Sequence, residues 1–178
     1  MRKVKKFKLT SEFIVDISGV KLFRIKALIE FGNVKAGDLG GYIEKEENLS
    51  HMGDAWVSDD ARISGNAQVF GNAQVFGDAW VFGNARVFGN ARVSGDAQVF
   101  GDARVSGDKD YAYAHGFGSC NRTTTFFRLK DGDVGVRCGC FYGTLAQFRD
   151  KVCETHGETK KAQEYLMLAD LMEIRFKN

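Results

Sequence analysis

The middle of the chain is written in one six-residue phrase, G-[ND]-A-x-V-F, seen at its purest in GNAQVFGNAQVFGDAWVFGNARVFGN, residues 65–90. An aliphatic residue recurs every six positions without a gap, at Val57, Ile63, Val69, Val75, Val81, Val87, Val93, Val99 and Val105, and alanine stands two places before each. Alternate side chains of a strand point the same way, so A-x-V-F reads as a four-residue strand with Ala and Val inward and the variable residue and Phe outward. Gly followed by Asn or Asp supplies the positive-φ backbone of a tight corner, which matters in a chain with no proline. At the corners, Ser58-Asp59-Asp60 is the one departure from the Gly-Asn or Gly-Asp that precedes Ala. A short fixed period sustained this long predicts a solenoid, in which each unit buries its apolar side against its neighbours.

This pattern, from about Met52 to Asp108, resembles the hexapeptide-repeat proteins, the superfamily of trimeric acyltransferases. The resemblance implies a mainly β fold with a left-handed parallel β-helix, three hexads to a triangular coil, and a homotrimer. Residues 18 apart then stack, and the outward positions form the columns Trp56/Gln74/Arg92, Arg62/Trp80/Gln98 and Gln68/Arg86/Arg104. The residues after each Val stack as Ser58/Phe76/Ser94, Ser64/Phe82/Phe100 and Phe70/Phe88/Ser106. Apolar patches of this kind mark contact surfaces. Trp56, Phe70, Phe76, Trp80, Phe82, Phe88 and Phe100 are therefore expected to meet another surface, either trimer partners or the chain's own tail.

Composition divides the chain into an N-terminal β cap (1–50), the repeat (51–118) and a C-terminal ββαα module (119–178). In the first zone, β-prone runs broken at Ser18-Gly19 and Gly32-Asn33 read as a hairpin, and KAGDLGGYIEKEEN as a turn-rich connection. Tyr111 and Phe117 keep the six-residue phase, which adds one more coil. In the tail, Asp131-Gly132 signals a hairpin between TTTFFRLK and VGVRCGCF. Thr144 and Gln147 form a capping box that opens a helix closed by Gly157. A second helix, 159–175, places Ala162, Tyr165, Leu166, Ala169 and Met172 on one face.

A net charge of +2 is too small to argue for nucleic acid, which is not expected as a partner, and the five basic residues between Met1 and Lys8 read as a solvated terminus. No apolar run is long enough for a membrane span, no signal segment follows the basic start, and a cytoplasmic protein with reduced cysteines is expected. Cys138 and Cys140 read as small buried residues beside Val134 and Val136, with no metal expected. A metal site that adds Cys120 and His115 or His156 is the alternative.

The segment HGFGSCNRTTTFFR concentrates anion-binding groups. Arg122, the hydroxyls of Thr123 to Thr125, Arg128 and, from the partner strand, Arg137 are expected to gather around a phosphate or carboxylate, with His115 beside them. Arg122, Thr124, Phe126 and Arg128 share a strand face, and Phe117, Phe126, Phe127 and Phe141 offer rings for stacking. The acyltransferase resemblance implies His115 as general base on an acceptor hydroxyl or amine beside a coenzyme A thioester, but the repeat carries no histidine between Met52 and Ala114 and no loop insertions to shape an acceptor pocket.

The whole chain also resembles phage and prophage proteins of unassigned role. In them a start like FRIKALIEFGNVKAGDLGGYIEKEENLS leads through G-[ND]-A-x-V repeats into TTTFFRLKDG and VRCGCFYGTLAQF. That setting implies antagonism of host factors or capture of signalling nucleotides. The expected function is a non-catalytic oligomeric binder of an anionic, nucleotide-like ligand or a host protein, needing no cofactor. An acyl-CoA-dependent acyltransferase and a structural or assembly protein are the alternatives.

Overall fold

The computed structural model describes residues 4–119 and 121–177. Three strands open it, β1 (Phe7–Val15), β2 (Lys21–Ala27) and β3 (Leu39–Ile43). Nine two-residue strands follow: β4 (Trp56–Val57), β5 (Arg62–Ile63), β6 (Gln68–Val69), β7 (Gln74–Val75), β8 (Trp80–Val81), β9 (Arg86–Val87), β10 (Arg92–Val93), β11 (Gln98–Val99) and β12 (Arg104–Val105). The tail holds β13 (Tyr111–Ala114), β14 (Thr124–Arg128), β15 (Val134–Cys138), β16 (Phe141–Thr144), α1 (Leu145–His156) and α2 (Lys160–Phe176).

The two-residue strands stack in parallel, Val57 on Val75 and Ile63 on Val81, giving three flat faces around one core. Every alanine and every aliphatic residue of the repeat is fully buried, as the inward parity requires. The strand is shorter than A-x-V-F. Only x and V pair, because the corner takes up the rest of the unit. At the corners it is Gly that adopts the left-handed region, as at Gly77 (φ 71), and Asp59 (φ 55) fills the same slot where the phrase departs. The Asn or Asp that follows Gly works through its side chain instead, and Asn66, Asn84 and Asp102 form a hydrogen-bond ladder up one corner.

The solenoid starts before residue 51. β3 pairs in parallel with β5, and Leu49 bridges Val69, so Ile43, Leu49 and Val57 are the inner residues of a first, slightly longer coil. What reads as a turn-rich connection therefore contains a strand. The β1–β2 hairpin continues this sheet in the order β1-β2-β3-β5-β8-β11.

Bonds between coils at the strand ends run from an upper N–H to a lower carbonyl, for example Trp56 to Ala73 and Arg62 to Ala79. The two ends of the rod consequently expose opposite groups, and the chain caps each with the complementary chemistry. At the N-terminal end Lys6 Nζ donates to the carbonyls of Gly53 (3.2 Å) and Ala55 (2.7 Å), and Asn48 Nδ2 donates to those of Gly65 and Ala67. At the other end Asp108, the Tyr111 phenol, Thr125 and Asp110 accept from the amides of Arg92, Ser94, Gln98 and Ser106. Tyr111 is the last inner residue. The six-residue phase ends there, because β13 turns to pair antiparallel with β14 and leaves Phe117 exposed.

Lys6 overturns the reading of the N-terminal basic run as solvated. It is 1% exposed and lies 4.6 Å over the Phe31 ring. Burial pushes its pKa from 10.5 down to about 8, against the opposing pull of Asp54. An unfolded lysine keeps its proton across that window, so the unfolded state binds more protons and stability rises as pH climbs from about 8 to 10.5. Relative to Lys6→Met, the wild type should gain about 2 kcal/mol in urea unfolding between about pH 7.5 and about pH 10. A constant difference would show that the amine does not titrate within the fold.

The tail sheet β13-β14-β15-β16 lies between two bodies. Phe127 and Thr125 of β14 face the end of the solenoid, where Ala103 bridges Leu129. Thr124 and Phe126 face the helix pair, whose core includes Phe148, Val152, Tyr165 and Ala169. Thr144 caps α1 with the expected box, Gly157 (φ 57) closes it, and Thr159 caps α2.

Candidate ligand cleft on the Trp80 face

β14 separates the residues expected to hold an anion. Thr124 is 1% exposed and donates to Cys138 Sγ beneath the helices. Arg128 stacks on Phe176 and donates to the carbonyls of Phe176 and Gly132, which ties down the end of α2. Arg122 is exposed and lies across Gly139. Arg137 is on the opposite sheet face, toward the solenoid. The parity of Arg122, Thr124, Phe126 and Arg128 was readable, but their face is a packed core, so these groups do not meet around one ligand.

His115 is exposed, with Nδ1 2.9 Å from Thr123 Oγ1 and 4.0 Å from Asp96. Both partners approach the same ring nitrogen, so no relay runs through the imidazole. Cys138 is half-buried against the helix core, whereas Cys140 is exposed in the turn that Gly139 (φ 58) makes after β15, a correction to its expected burial. Cys120 lies outside the described residues. Among the described residues no cluster of three or more His, Cys, Asp or Glu could hold a metal ion.

The aromatic columns have three fates. Trp56 is 4% exposed, packed edge-on against Phe31 at 5.4 Å, so the chain's own N-terminal segment covers it. Trp80, Phe82 and Phe100 form a ladder at 4.6 and 4.4 Å, extended to Tyr142 of β16 at 4.7 Å, and the tail covers its lower end. Desolvation, then the charges of Asp102 and Asp131, raises the Tyr142 pKa and keeps the phenol protonated. Phe70 and Phe88 stack face to face at 5.1 Å. Phe70 opens onto a groove of about 1000 Å³ beside Val4, Ile29 and Met52. Arg92 lies over the half-buried Phe76 ring at 5.7 Å.

Of the expected anion contacts, Arg137 lines a cleft. A space of about 400 Å³ lies between the hairpin tip (Asp16 to Val20), the Trp80/Phe82 floor and Arg137. The guanidinium rests 5.8 Å from the rings of both Phe82 and Phe100, and its Nε donates to Gln98 at 3.3 Å. It makes no ion pair among the described residues. Two carboxylates line the same space without pairing with Arg137: Asp16 Oδ1 accepts from the amides of Ser18 and Val20, and Glu44 Oε2 from that of Gly65. Arg137 therefore presents free N–H donors over an aromatic floor.

A family model described as a YdcK beta solenoid repeat matches residues 79–95, 85–99 and 97–108, the segment that builds the lower coils. The chain is a β-solenoid protein. Its match lies within the rod and does not reach the hairpin or the tail that wall the cleft. A search of curated proteins finds no match. Sequence reasoning passed over Arg92 and Arg175, because nothing in their local sequence shows that a solenoid column and the last helix adjoin.

Proposed function

We propose that this protein is a non-catalytic, self-associating binding scaffold that captures an anionic, ring-bearing small ligand in the Arg137 cleft. The observation that carries the reading is the Arg137 guanidinium, held by two rings and Gln98, without a carboxylate partner among the described residues and beside the Trp80 indole. Such a group is preorganised for a charge-assisted hydrogen bond to phosphate or carboxylate, while an aromatic wall takes a planar ring. A nucleotide-like ligand has both parts. The resemblance to hexapeptide-repeat and phage proteins supports an oligomeric binder in the same sense. The stacked, half-buried Phe70/Phe88 pair is the surface we assign to contact between copies in a trimer.

Trp80 lines the cleft and Trp56 is buried, so indole emission reports on occupancy. Titration with a panel of nucleotides and coenzyme A is expected to give saturable quenching that Trp80→Phe abolishes and Arg137→Gln weakens about tenfold or more. If no member of the panel changes the emission of folded protein, or Arg137→Gln binds as the wild type does, the reading fails. Turnover of an acyl-CoA that His115→Ala removes would replace it with the acyltransferase.

A further inference from the structure

A second cleft lies on another face of the rod, where the solenoid meets the tail. It has a volume of about 470 Å³, and its walls include Phe76, Arg92, Ser94, Asp108, Tyr113 and Arg175. We propose that it binds a phosphate monoester as the dianion, gripped between Arg92 and Arg175. Arg92 is exposed, its guanidinium lies 5.7 Å over the Phe76 ring, and it makes no ion pair or side-chain hydrogen bond among the described residues. Arg175 is anchored from behind: Nη2 donates to the carbonyls of Asp108 (3.1 Å) and Tyr111 (3.4 Å), which fixes the guanidinium plane and leaves its other N–H groups without a partner among the described residues. The cleft's one carboxylate, Asp108, spends Oδ1 on the backbone amide of Arg92.

Two guanidinium groups, one anchored by backbone carbonyls and one resting over a ring, against a single carboxylate leave a net positive cleft. Arginine forks match phosphate oxygens two at a time, so a doubly charged phosphoryl group satisfies both sides at once. The Ser94 hydroxyl and the partly exposed Tyr113 ring complete a wall for the ester's organic part. This site differs from the Arg137 cleft in its charged lining: two arginines and one carboxylate face it, against one arginine and two carboxylates there. The two clefts share no wall residue, and neither depends on the other.

Phenyl phosphate is the probe, with phenyl sulfate as its singly charged counterpart, both followed by isothermal titration calorimetry. Phenyl phosphate is expected to bind saturably, with Trp80 emission unchanged and affinity falling as pH drops through the second phosphate pKa near about 6. Arg92→Gln should weaken it about tenfold or more at an unchanged melting temperature, and Arg137→Gln should leave it unaltered. Phenyl sulfate should bind about tenfold or more weakly than the phosphate. Three results would each overturn the proposal: no saturable binding to the wild type, Arg92→Gln binding as the wild type does, or equal affinity for sulfate and phosphate.

Discussion

Phe127→Ala is expected to lower the unfolding free energy by about 3–5 kcal/mol and, for a chain of this size, the melting temperature by roughly 10 °C. Phe127 is fully buried in the solenoid core although it belongs to the tail sheet, opposite Tyr111 in register. It closes the open end of the rod, as the bottom of a barrel is closed by its lid. Its removal leaves a cavity under β14 and loosens the strand whose Thr125 hydroxyl caps the Gln98 amide. The last coil then presents unpaired backbone groups, and strand edges of that kind recruit other chains. Thermal unfolding by circular dichroism with light scattering should therefore show both a lower midpoint and aggregation. A midpoint within about 2 °C of the wild type would mean that the rod end does not depend on this ring.

The two aromatic pairs are expected to part company on mutation. Phe82→Ser with Phe100→Ser removes the ladder on which Tyr142 and Arg137 rest, so stability should fall by about 3 kcal/mol with the oligomer unchanged. Ligand binding at Arg137 should fall with it, since the guanidinium loses its platform. Phe70→Ser with Phe88→Ser touches no tail residue, and there we expect dissociation to monomers with a smaller loss of intrinsic stability. Native mass spectrometry and urea unfolding separate the outcomes. A wild-type monomer, or trimers that persist in the Phe70/Phe88 variant, would remove the assigned contact between copies.

Much of the rod was legible because its code is local. Inward Ala and Val, a corner at every Gly and the stacking of residues 18 apart all follow from a period of six and the steric freedom of glycine. Thr144 and Gly157 were legible for the same reason: a capping box and a glycine C-cap at positive φ are read within a few residues. The candidate site was not. Arg128 and Arg137 sit on adjacent strands of one sheet, yet one serves the helix pair and the other the solenoid face. Alternation says which residues share a face, but not what covers it. Lys6 misled in the same way, since five basic residues close together read as solvated until the carbonyls at the rod's end are seen to need a donor.

The sequence by itself determined that the middle of this protein is a β-solenoid, because each repeat carries its own inward residues and its own corner. Only the tertiary structure decided how the rod is closed, which aromatic columns are covered, and that Arg137 in one cleft and Arg92 with Arg175 in another stand without carboxylate partners among the described residues. The physical reason is range. Backbone geometry and side-chain parity act over a few residues, whereas burial and charge pairing depend on which distant segments pack together, and that is settled only when the hairpin and the tail dock on the rod.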